Sequence, residues 1–204
     1  MPTYREAPPM LEVLTVCTGN VARSPLAELV LRARTGGSIQ VHSAGTRALI
    51  DYPMPAEAGS LAVAHGAPPA EAQAHRGRRL TEGMLRSPDL ILAMAREHRR
   101  AIVELAPARL RSTFTVREFA RLSVHASAAD LAAAIGDASD PAERARRAVA
   151  HVASLRSAVE PPHDPADDDV IDPFRRSERT YALAAAQLVP AVDEVARVLR
   201  VVAG

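Results

Sequence analysis

Four short apolar runs, most of them followed by a stretch with helical spacing, constrain this chain more than any other feature. Residues 10–16, MLEVLTV, are β-rich and stop at Cys17-Thr18-Gly19-Asn20, after which PLAELVLRAR recurs at helical spacing from Pro25. IQVHSAG reads as a second strand, AEAGSLAVAHG as a helix closed by Gly66, and DLILAM as a third strand. REHRRAIVELAP is then a helix ended near Pro107, and STFTV a fourth strand. Strands that alternate with helices pair in parallel, because each crossover carries the chain back to the same starting edge. The predicted fold is therefore α/β: a four-stranded parallel sheet, doubly wound, in three α/β/α layers. The C-terminal SERTYALAAAQLVPAVDEVARVLRVVA is a long helical region that Pro190 is expected to kink or divide.

Between Leu122 and Asp169 the rhythm breaks into two Ala-rich helical stretches, SAADLAAAIG and PAERARRAVAHVASLRSAV, and a Pro- and Asp-rich run, EPPHDPADDD. With 204 residues the chain has room for one good core. We expect a single domain over residues 1–204, in which 123–168 form a helical insertion and mobile linker before Asp172. The 25 basic and 24 acidic residues balance, so neither nucleic acid nor an anionic membrane is an expected partner. No segment has the apolar length of a membrane span, and the opening MPTYREAPPM lacks a basic leader and an apolar stretch, which points to the cytoplasm. One cysteine cannot form an internal disulfide or a sulfur-rich metal site. His163 with Asp164, Asp167, Asp168 and Asp169 reads as a solvated acidic run, so no metal and no cofactor are expected.

The lone Cys17 lies where a strand's carboxyl end turns into a helix. Backbone N–H groups and the positive end of the helix dipole meet there, which makes an anion site and favours thiolate over thiol. Six residues later Arg23 can return across the loop with a fork of N–H donors that matches two oxygens of a tetrahedral oxyanion. Gly19 is expected to allow the sharp turn and Asn20 to fix the loop by side chain to backbone bonds. Pro25 suits a first helical turn, and Ser24 is placed to donate to the sulfur.

The segment VCTGNVARSP resembles the signature of the low molecular weight protein tyrosine phosphatases: Cys, five residues, Arg-Ser, with Gly-Asn in the middle. VHSAGT, HRGRRLTEGML, DLILAMAREHRRAIVEL, TFTVREFARL and DVIDPF resemble that family's segments in its order, and 123–168 lies outside the pattern. The resemblance implies a flavodoxin-like fold and hydrolysis of phosphotyrosine, in a protein or a small phosphomonoester, through a cysteinyl phosphate. It implies Cys17 as nucleophile, Arg23 as oxyanion holder and Asp172, in IDPF, as the acid that protonates the leaving oxygen. Substrate would lie against Thr18, Gly19, Asn20, Val21, Ala22, Ser24 and Phe174, with Ser43 and His75 supporting the loop. An arsenate reductase of the same fold, drawing on an external small-molecule thiol, is the alternative, although it has little use for Asp172. A phosphate-reading module without turnover is a third.

Several positions depart from that pattern. Ala22 stands where many relatives carry a second cysteine, so oxidised Cys17 has no internal thiol to rescue it. Arg175 follows Phe174 where some relatives have another aromatic residue, and RALIDYPMP is expected to lack an aromatic wall, which puts tyrosine selectivity in doubt. Val21 stands where phosphoarginine phosphatases have Thr, which favours phosphotyrosine.

Overall fold

The structure, a computed structural model, describes residues 11–37 and 39–203. The reading of MPTYREAPPM, and Met10 of the first apolar run, lie outside the described residues. Strands β1 (Glu12–Cys17), β2 (Gln40–Gly45), β3 (Leu90–Ala93) and β4 (Thr113–Thr115) form a sheet in the order β2-β1-β3-β4. All three pairings are parallel, with Val13 opposite Val41 on one side and Leu90 on the other. The chain leaves β1 for β2 on one side and later returns to β3 on the other. The crevice of such a sheet opens where the order reverses, at the carboxyl end of β1. Cys17 is the last residue of that strand.

The side chains of β1 alternate between two cores, as a two-residue period requires. Val13 and Cys17 join the larger core with α1 (Arg23–Thr35), α5 (Val116–Ser123) and α8 (Glu178–Ala203). Leu14 and Val16 join a smaller one with Leu85, Ile91 and Ile102, the last on α4 (Arg96–Leu105). Helices α2 (Ala56–Ala64) and α3 (Pro69–Ala74) bridge β2 to β3. Gly66 follows α2 with a φ of 100°, as a left-handed stop should.

Three expectations need correction. Pro190 sits inside α8 without dividing it: its ring faces solvent, while Leu188, Val189, Ala191 and Val192 on both sides are buried and hold the helix across the missing N–H. The strand drawn through Val116 stops at Thr115, whose hydroxyl accepts from the Glu118 N–H while the Glu118 carboxylate accepts from the Thr115 N–H. That reciprocal cap starts α5 at once, and the Thr-x-x-Glu spacing was there to be read.

The third concerns residues 123–168. Helices α6 (Ala128–Ile135) and α7 (Pro141–Ser154) coincide with the two Ala-rich stretches and bury Leu131, Ile135, Val149 and Val152 in the larger core. The run after them, expected to be mobile, is fastened at several points. Arg121 pairs with Asp168 at 3.0 Å and donates to the Glu160 carbonyl, and Arg96 pairs with Asp169 at 3.0 Å. Composition showed the carboxylates but not the arginines that α4 and α5 bring to them. No helix among the described residues is long and apolar enough to cross a membrane.

Candidate active site

The loop from Cys17 to Arg23 wraps the start of α1, which has no side-chain cap and no acidic residue in its first turn. Its positive end is therefore not neutralised locally. Asn20 makes the turn: its φ is 55°, in the left-handed region, whereas Gly19 keeps an ordinary conformation. Asn20 is the non-glycine residue best able to sit there, because its amide bonds locally.

That amide organises the loop from below. Its Nδ2 donates to Ser24 Oγ at 3.0 Å and to Ser43 Oγ at 2.8 Å, and its Oδ1 accepts from the Arg78 N–H at 2.9 Å. The Asn20 carbonyl accepts from His75 Nε2 at 2.7 Å, which fixes the proton on that nitrogen. Burial pushes the His75 pKa below its usual value, against the contrary pull of this hydrogen bond. Cys17 Sγ receives the Asn20 N–H at 3.2 Å and lies 3.0 Å from Ser24 Oγ. Two hydrogen bonds thus converge on the sulfur from the buried side, leaving its other side for the cleft.

Room for so tight a loop comes from glycines elsewhere in the chain. A Cβ on Gly45 would lie 2.6 Å from the Thr18 carbonyl oxygen, and one on Gly77 would lie 2.2 Å from that of Leu49. A Cβ on Gly19 would meet nothing closer than 3.5 Å, so the turn expected of Gly19 falls to Asn20 and the close approach to Gly45 and Gly77.

Above the loop is a cleft of about 170 Å³ lined by Cys17, Arg23, Arg47, Leu49, Asp172 and Phe174, with Thr18, Gly19, Val21 and Ala22 as its floor. Arg23 is buried and spans it: Nη1 donates to the Val170 carbonyl at 2.9 Å, and Nη2 meets Asp172 Oδ2 at 2.8 Å. The segment carrying Asp172 is held residue by residue. Asp169 accepts from the Arg96 N–H at the start of α4, the Val170 N–H donates to the Met94 carbonyl, and the Ile171 N–H donates to Gln187. A half-exposed carboxylate, a buried guanidinium and a buried thiol thus share one small cleft.

The family model for low molecular weight phosphotyrosine protein phosphatases matches residues 12–133, more than half of the chain. The chain belongs to that family. Among the phosphatase relatives, Etp of Escherichia coli K12 is 44% identical over 95 residues, which are 47% of this chain and 62% of Etp. The chain thus spans less than two thirds of that relative's length. EpsP of Ralstonia solanacearum, named a probable member, is 35% identical over 112 residues, 55% of this chain and 74% of EpsP. Among solved structures, the low molecular weight phosphatase from T. tengcongensis has a TM-score of 0.62 at 26% identity, over 91% of this chain and 97% of that one. Wzb from Escherichia coli K30, solved with phosphate, has a TM-score of 0.61 at 24% identity, over 93% of each chain, and attests the fold. The matched residues of the phosphatase model end before Asp172, so the placement of that residue rests on geometry.

Of the residues expected at the phosphatase site, Asn20 and Ser24 lie fully buried behind the loop with their side chains turned to Cys17 and Ser43. Ser43 Oγ accepts from Asn20 Nδ2, and His75 Nε2 donates to the Asn20 carbonyl. In RALIDYPMP, expected to lack an aromatic wall, Tyr52 meets Phe174 edge-on, with ring centroids 6.4 Å apart at 89°. Asp51, just before Tyr52, has a φ of 59°, in the left-handed region.

His98 on α4 is the residue that sequence reasoning missed. It is 1% exposed, its Nε2 lies 2.8 Å from Thr18 Oγ1, and its Nδ1 is buried without a partner among the described residues. Burial, with help from the nearby Arg23 charge, pushes its pKa down to about 3, so it is neutral throughout the neutral and mildly acidic range. The signal was its spacing: His98 and Ile102 are one helical turn apart on the buried face of an otherwise charged helix.

Proposed function

We propose that this chain is a cysteine-dependent phosphomonoester hydrolase acting on phosphotyrosine in proteins or small phosphomonoesters, and that 123–168 elaborate the same domain. The observation that carries the reading is the meeting of Cys17, Arg23 and Asp172 around one cleft sized for a phosphoryl group and its ester oxygen. The Cys17 thiolate attacks phosphorus in line, the sulfur–phosphorus bond forms as the phosphorus–oxygen ester bond breaks, and the Asp172 carboxylic acid protonates the departing oxygen. Ionised Asp172 then takes a proton from water, whose oxygen attacks phosphorus and releases inorganic phosphate and the thiolate.

Arg23 and the amides of the loop spread the charge of both transition states. In the unliganded cleft Arg23 is occupied by Asp172, so substrate binding exchanges that carboxylate for phosphoryl oxygens and releases the acid for its proton transfer. Thr18, Gly19, Val21 and Ala22 supply the floor, Asn20, Ser24, Ser43 and His75 hold it rigid, and Phe174 with Tyr52 walls the side against which a phenyl ring packs. The lone thiol suits a reducing cytoplasm. An arsenate reductase would use Cys17 and Arg23 but leaves Asp172 without a task.

The test is hydrolysis of p-nitrophenyl phosphate by freshly reduced protein at mildly acidic pH without added metal, beside Cys17→Ser and Asp172→Asn. Turnover abolished by the first variant and cut steeply by the second is the expected result. Wild-type protein that leaves p-nitrophenyl phosphate intact but reduces arsenate in the presence of a thiol overturns the reading.

A further inference from the structure

One cation in the cleft lining, Arg47, and one stacked on the lining residue Phe174, Arg175, are not used by the chemistry above. Arg47 follows β2 in a loop locked against the phosphate loop: the N–H groups of Thr46, Arg47 and Leu49 donate to the carbonyls of Cys17, Thr18 and Gly19, each at 2.9 Å. Its backbone is thus as fixed as the phosphate loop itself. The side chain lines the cleft, is exposed, and has no ion pair or hydrogen bond among the described residues. Its charge reaches the floor, where it helps keep His98 neutral.

Arg175 follows Phe174, which lines the cleft, with a φ of 59°, and its guanidinium carbon lies 5.2 Å from the centre of the Phe174 ring. It too has no ion pair or side-chain hydrogen bond among the described residues. Stacking on the ring restrains the guanidinium without neutralising it. Asp172, the carboxylate that lines the cleft with Arg47, is engaged by Arg23. The protein as a whole carries a formal charge of only +1, so this pairing of cations is a property of the cleft.

We infer that the cleft selects phosphotyrosyl segments whose neighbouring residues carry negative charge, carboxylate or a second phosphoryl group, with Arg47 and Arg175 as the specificity-determining contacts. This rests on the phosphatase reading and deepens it. A phosphotyrosine seated on Cys17 projects its backbone out of the cleft, where residues before and after it pass within reach of the two guanidiniums. Arginine pairs with carboxylate or phosphate through two parallel N–H donors, so the preference is directional as well as coulombic. Contacts this exposed are individually weak and screened by salt.

The experiment compares kcat/KM for phosphotyrosine peptides of one length with Glu, Ala or Lys flanks, and one with a second phosphotyrosine, at low and high salt, with p-nitrophenyl phosphate alongside. Glu-flanked and doubly phosphorylated peptides should exceed the Ala peptide about three- to tenfold at low salt, and the gap should shrink at high salt. In Arg47→Ala with Arg175→Ala the ratio should fall to about one, and in Arg47→Glu it should turn towards the Lys peptide. Using a ratio removes any general loss of activity from the comparison. Wild-type discrimination below twofold, or a ratio unmoved in the double variant, overturns this inference while p-nitrophenyl phosphate turnover leaves the phosphatase reading standing. A wild-type enzyme inert towards p-nitrophenyl phosphate and all the peptides overturns both.

Discussion

Arg23 and Asp172 touch across the cleft, Nη2 to Oδ2 at 2.8 Å, although 149 positions separate them in the chain. The guanidinium comes from the first turn of α1 and the carboxylate from the loop before α8, so the two ends of the fold meet at the site. The partners differ in setting, with side-chain exposures of 4% and 52%. The buried arginine is also held by the Val170 carbonyl, whereas the carboxylate is open to solvent.

If Asp172 delivers a proton to that oxygen, its importance scales with how poor the leaving group is. Asp172→Asn should lower kcat/KM, which reports the step that expels the ester oxygen, about 10²- to 10⁴-fold with phenyl phosphate, and by a smaller though still steep factor with p-nitrophenyl phosphate, whose phenolate is the better leaving group. Steady-state rates for both esters with one enzyme preparation check this. Equal losses would assign Asp172 to binding instead.

Asn20 combines a positive φ with three side-chain hydrogen bonds, and two substitutions separate these contributions. Asn20→Gly keeps the backbone conformation and loses the bonds, which should cost about 2–4 kcal/mol in urea unfolding. Asn20→Ala loses both and should be about 1 kcal/mol worse. Identical midpoints would mean that the left-handed turn carries no strain.

Gly45→Ala drives a methyl group into the Thr18 carbonyl oxygen at 2.6 Å, with the Asn20 nitrogen next at 3.0 Å. We expect a loss of about 1–3 kcal/mol in stability and a larger proportional fall in kcat, since the displaced atoms belong to the phosphate loop. Gly19→Ala, with its nearest neighbour at 3.5 Å, is the matched control for stability.

His98 makes stability depend on pH. Unfolded, it takes up a proton below about 6.5, whereas folded it stays neutral until about 3, so the unfolded chain binds more protons between these values. Stability is full above about pH 6.5 and declines as pH falls through that window. His75, whose pKa burial also depresses, adds to the decline. Urea midpoints at pH 7 and 5 should differ in the wild type and differ less in His98→Asn, a range in which few ordinary carboxylates titrate.

Patterning made the sheet legible because period-two and helical spacings are local properties, as in MLEVLTV followed by PLAELVLRAR. It also located Cys17 and Arg23, since a strand's carboxyl end and a helix start bracket them within one short segment. What stayed hidden depends on distance in the chain. Nothing near REHRRAI announces that His98 will meet Thr18, and nothing in EPPHDPADDD names Arg96 and Arg121 as its anchors. The turn assigned to Gly19 belongs to Asn20 for a related reason: the glycines that matter, Gly45 and Gly77, are those that other segments press against.

The guanidinium of Arg23 has two hands. When a phosphoryl group draws Nη2 away from Asp172, Nη1 can keep its hold on the Val170 carbonyl, two residues before that carboxylate. Freeing the acid therefore does not free the loop that carries it. In the proposed reaction the side chain that meets the incoming oxyanion also tethers the proton donor, so the donor would stay aligned at the moment it is released.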